Sequence, residues 1–65
     1  MNQDILRQQT KIAKAMNDDE FSYKDFAAAI AVSDHSFYNW LNGYYDLSYK
    51  KASYLEDIVI NLIDE

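Results

Sequence analysis

Between the apolar run ending at Ile30 and the pair Ser33-Asp34 the chain has room for only Ala31 and Val32. The segments on either side both carry helical patterning, and a link this short does not let two helices lie antiparallel. They must cross steeply. A close crossing needs small side chains, which Ala27, Ala28 and Ala29 supply on the first segment, with Phe26 and Ile30 as its larger core residues and Val32 as the plug of the turn.

Ser33 before Asp34 reads as a helix cap, the serine accepting free amide hydrogens and the carboxylate complementing the positive end of the dipole. The helix it opens runs to about Leu41. Phe37, Trp40 and Leu41 then point inward, while Asp34, His35, Tyr38, Asn39 and Asn42 face out. Asn42 and Gly43 close it, glycine being the usual left-handed residue past a helix end. Upstream, Ile5, Leu6, Ile12, Ala13 and Met16 recur at helical spacing, predicting a first helix over roughly residues 3–16 with Gln8, Gln9 and Thr10 off its apolar face. The polar run at residues 17–20 ends it. Ser22 with Asp25 three positions on resembles a capping box for a short helix over about residues 23–30. Ser48 starts a fourth helix, whose apolar set is Ala52, Leu55, Ile58, Val59, Leu62 and Ile63.

These readings give an all-α fold, a small four-helix bundle in a single domain over residues 1–65. With no proline and one glycine in 65 residues, few sharp breaks interrupt it. No cysteine is present, so burial rather than disulfides or thiolate metal sites must stabilise a domain near the lower size limit; the chain is 49% hydrophobic and 15% aromatic. No apolar run approaches the ~20 residues of a bilayer span, and no basic-then-apolar leader opens the chain, so no membrane role and a cytoplasmic location are expected.

At residues 22–43 the chain resembles the helix-turn-helix family of phage Cro and lambda-type repressors. Ala27, Ala31, Val32, Ser33, Phe37, Trp40, Leu41 and Gly43 fall at its matching positions. Glycine usually occupies the turn position held here by Ala31, which therefore costs about 1 kcal/mol if the backbone is left-handed there. The resemblance implies a small phage or mobile-element transcription regulator that binds double-stranded DNA with its third helix in the major groove, as a homodimer. Asn39 is then the best base reader, because its amide matches the acceptor and donor of adenine. His35, Ser36, Tyr38 and Asn42 are further candidates, and Ser33, Tyr49, Lys50 and Lys51 are placed for phosphates. Arg7, Lys11 and Lys14 form a cationic stripe along the first helix. Dimerisation is expected from Val59, Leu62 and Ile63, which lack obvious cover.

Net charge of −5 cuts the other way, since affinity for duplex rests on lysine and arginine. The alternative is that the same fold uses its acidic surface to bind a protein that itself binds nucleic acid, as an antirepressor or inhibitor. Residues 33–51 carry Asp34, Asp46, Lys50 and Lys51, leaving the reading segment neutral. One histidine, no cysteine and no glycine-rich phosphate loop offer no basis for catalysis, a metal or a cofactor.

Overall fold

A computed structural model describes residues 2–64 as four helices: α1 (Asp4–Met16), α2 (Tyr23–Ala29), α3 (Asp34–Leu41) and α4 (Tyr49–Ile63). The fold is all-α, and α1 packs chiefly on α4 while α2 packs on α3. Phe26, Phe37, Trp40, Leu55 and Val59 are fully buried at the centre, with Ile30, Leu41 and Leu47 around them. Their rings form a continuous chain. Phe26 stacks on Phe37 at 6.3 Å between centroids, and Phe37 tilts against Trp40 at 5.5 Å.

The short helices are delimited by their own backbone chemistry. At the head of α2, the Asp25 carboxylate accepts from the Ser22 backbone N–H (2.7 Å) and hydroxyl (3.1 Å); these bonds hold the Asp25 carboxyl below its ordinary range. The Ser33 hydroxyl accepts from the Ser36 N–H at 3.1 Å, and Ser48 accepts from the Lys51 N–H. Both α2 and α3 end in the same double hydrogen bond. In α2 the N–H groups of Ala31 and Val32 reach the carbonyls of Ala28 and Ala27; in α3 those of Gly43 and Tyr44 reach Trp40 and Asn39. This closure needs a left-handed residue at its pivot. The pivots are Ala31 (φ 60°) and Gly43 (φ 85°). The turn therefore does not relax to accommodate its alanine.

Helix α1 departs most from its sequence pattern. Its buried residues are Leu6, Ala13 and three polar side chains, Gln3, Arg7 and Thr10, whereas Ile5, Ile12 and Met16 are exposed. The polar residues go inside because each finds partners there. Gln3 Oε1 accepts from Trp40 Nε1 (2.6 Å) and from the Leu47 N–H (2.9 Å), while Gln3 Nε2 donates to the Leu47 carbonyl (3.0 Å). Arg7 Nε donates to the Trp40 carbonyl (2.5 Å), and its terminal nitrogens reach the Tyr45 carbonyl, Asp4 and Asp46. Thr10 donates back to the Leu6 carbonyl at 2.7 Å. No buried side-chain nitrogen or oxygen among the described residues lacks a partner.

Two further expectations change. Only Ala27 of the alanine run is buried, Ala28 and Ala29 being exposed, because a seven-residue helix has a single inward stripe. Val59 is fully buried within the chain, and Leu62 and Ile63 pack partly against the core, so they do not form the uncovered face expected of them.

Gln3→Leu should lower stability by about 2 kcal/mol, since it strands the Trp40 and Leu47 N–H groups in the interior; urea unfolding followed by Trp40 emission measures this. Ala31→Gly should raise stability by about 0.5–1 kcal/mol, left-handed strain released exceeding the entropy glycine adds to the unfolded chain. Ala31→Val should lower it, because a β-branched side chain tolerates positive φ worst.

Candidate nucleic-acid interface

The roll of α3 about its own axis is set from below. Phe37 and Trp40 are fully buried and Leu41 nearly so. The opposite edge consequently faces outward: Asp34, His35, Tyr38 and Asn42 are exposed, and Asn39 is half-buried. Ser33 is exposed at the head of the helix with its hydroxyl oxygen engaged by Ser36. Ser36 itself is half-buried, and the Tyr45 hydroxyl donates to its carbonyl at 2.9 Å, so Ser36 lies beneath the loop rather than on the open edge. Tyr38 meets the edge of Tyr23 at 5.9 Å, which steadies the middle of the exposed edge.

The first turn of α4 does not share a groove with this edge: Tyr49 lines one with Gln3, Ile5 and Leu6 at the amino end of α1, and Lys50 lines another with Ala29, Ile30 and Ala31 at the turn before α3. Tyr49 and Lys50 are exposed, and Lys50 has no partner among the described residues. Lys51 is different. Its ammonium donates to the Ala31 carbonyl at 3.0 Å, tying the amino end of α4 to the left-handed turn between α2 and α3. The residue placed for a phosphate is thus engaged as a strut.

The cationic stripe of α1 does not exist as such. Arg7 is buried, with its guanidinium carbon 5.3 Å from the Trp40 ring centre. Lys14 pairs with Asp18 and lies over the Tyr23 ring at 5.8 Å; the hydrogen bond its ammonium donates to the Asp18 carboxylate raises its pKa above the ordinary lysine value. Lys11 alone stays exposed, lining a groove with Asn42 and Gly43 at the far end of α3. Lys24, which charge patterning did not single out, is exposed in the first turn of α2 and lines a cleft with Lys14, Tyr23, Asp34 and Tyr38. Asp34 therefore shares its cleft with two lysines. The signal that could have found Lys24 is its position just after a capping serine, the end of a helix where anions bind.

Among the described residues no helix is long and apolar enough to cross a membrane. No protein-family model, curated protein or solved structure matches the chain.

Lys51→Met should cost up to about 1 kcal/mol of stability by freeing the turn carbonyl, while Lys50→Met should leave the unfolding midpoint unchanged. Paired thermal melts of the two variants separate a strut from a free cation.

Proposed function

We propose that this chain is a small DNA-binding transcription regulator of the helix-turn-helix kind, with α3 laid in the major groove. The observation that carries the reading is the two-sidedness of α3. Its underside is wholly buried aromatic and aliphatic surface, while its outer edge holds His35, Tyr38, Asn39 and Asn42, all capable of hydrogen bonding to base edges. Two exposed lysines share clefts with that edge, Lys24 with Tyr38 and Lys11 with Asn42, and a third, Lys50 at the head of α4, lies by the turn that precedes α3. Cations near helix amino ends are poorly placed for the free helix and well placed once a phosphate arrives. In this reading Asn39 reads adenine, Lys50 and Lys24 contact phosphates, and Lys51 holds the turn. The phage or mobile-element setting and the paired half-sites come from the likeness of residues 22–43 to Cro and lambda-type repressors.

A second reading is favoured by the charge distribution. Arg7 and Lys14 are already paired, while Asp19, Glu20, Asp34, Glu56 and Asp57 are exposed. An acidic surface of this kind fits the basic site of a nucleic-acid-binding protein.

Selection of bound duplexes from a random pool at low salt tests the first reading; recovery of no preferred sequence would sink it. Asn39→Ala should relax the preference at one base pair, by about 1–3 kcal/mol of discrimination. Lys50→Ala should weaken all duplexes alike and reduce the salt slope by about one. Failure of selection together with capture of a nucleic-acid-binding protein by the same chain would support the second.

A further inference from the structure

Helix α1 buries polar residues and exposes apolar ones. Ile5, Ile12 and Met16 are 72%, 51% and 56% exposed, and with half-buried Gln9 they lie on one stripe at intervals of four, three and four residues. That is heptad spacing with one polar position, half-buried Gln9.

Two features select the occupant of this stripe. The series 5, 9, 12, 16 reads the same from either end. Around a two-fold axis midway between Gln9 and Ile12, Ile5 meets Met16 of a second copy and Gln9 meets its Ile12, the self-complementarity an isologous contact requires. The stripe and the positions flanking it on the heptad, Leu6, Gln8, Ala13 and Ala15, are also free of charge. Two copies each carrying −5 repel one another over most of their surfaces and approach best on such a patch. Nucleic acid finds no counter-charge there. Acids border the seam at both ends, Glu56 of α4 beside Ile5 and Asp18, Asp19 and Glu20 beside Met16, so the antiparallel contact brings like charges together there and strengthens with added salt.

We propose that the chain self-associates through α1, two copies pairing antiparallel with Ile5 of each against Met16 of the other. The contact replaces the α4 face that sequence pattern assigned to dimerisation. Its purpose, holding two α3 helices about one duplex turn apart (~34 Å), rests on the DNA-binding reading; the association itself is measured without DNA.

Sedimentation of the full chain over a concentration series should show the mass rising from 7.6 kDa toward twice that value. Ile12→Glu should shift the association midpoint at least about tenfold with helical content and Trp40 emission unchanged. Because the chain has no cysteine, Ile5→Cys with Met16→Cys should give a covalent dimer under mild oxidation. Neither single variant should, as like residues lie about 16 Å apart along the seam. A single-chain mass up to about 1 mM, a dimer indifferent to Ile12→Glu, or cross-linking by either single variant would each overturn the proposal. A monomer that still selects a duplex removes the seam and leaves the DNA reading standing; a seam-dependent dimer that selects none does the reverse.

Discussion

The Arg7 guanidinium is the interaction on which the placement of everything else depends. It sits against the Trp40 ring, donates to the Trp40 and Tyr45 carbonyls, and is neutralised by Asp4 and Asp46. A buried charge is tolerated only when its donors are used and a counter-charge is near, and both conditions hold. The site also lies at the carboxyl end of α3, where a cation complements the macrodipole. Gln3, one turn earlier, closes the same junction by bridging the Trp40 indole to the Leu47 backbone. Together the two side chains seat Trp40, fix the roll of α3, and set where the loop delivers Ser48 and the first turn of α4.

On that junction the middle of the chain is built from repeated local devices. A serine opens each of α2, α3 and α4, and α2 and α3 close with the same pair of backbone hydrogen bonds around a left-handed residue. Gly43 adopts that backbone freely, whereas Ala31 holds it under strain, with Lys51 bonded to its carbonyl. The strained position joins the two helices whose crossing presents the exposed edge of α3. Strain retained at such a position is sustained by surrounding contacts that over-determine the turn.

The chain spends its scarce cations unevenly. Of six lysines and arginines, Arg7, Lys14 and Lys51 are committed to intramolecular bonds. Lys11, Lys24 and Lys50 remain exposed, the first two in clefts shared with α3. On the DNA-binding reading, so few free cations would supply less affinity through counterion release than a basic domain has, and correspondingly more of the selectivity would fall to hydrogen bonds at the α3 edge.

The sequence by itself determined the number and order of helices, their serine starts, the left-handed Gly43 and the inward set Phe37, Trp40 and Leu41. These follow from 3.6-residue periodicity and from capping chemistry that acts within a few residues. The outward placement of His35, Tyr38 and Asn42 followed from the same periodicity. Only the tertiary structure decided which face of α1 is buried. Periodicity ranks side chains by apolarity, and it cannot see that Gln3, Arg7 and Thr10 meet carbonyls and an indole N–H, two of them from more than thirty residues away. Satisfied polar groups reversed the orientation of the helix, turned Ile5, Ile12 and Met16 outward, and removed Arg7 from the exposed cations. The bond from Lys51 to the Ala31 carbonyl was illegible for the same reason, its partner lying twenty residues earlier in the chain.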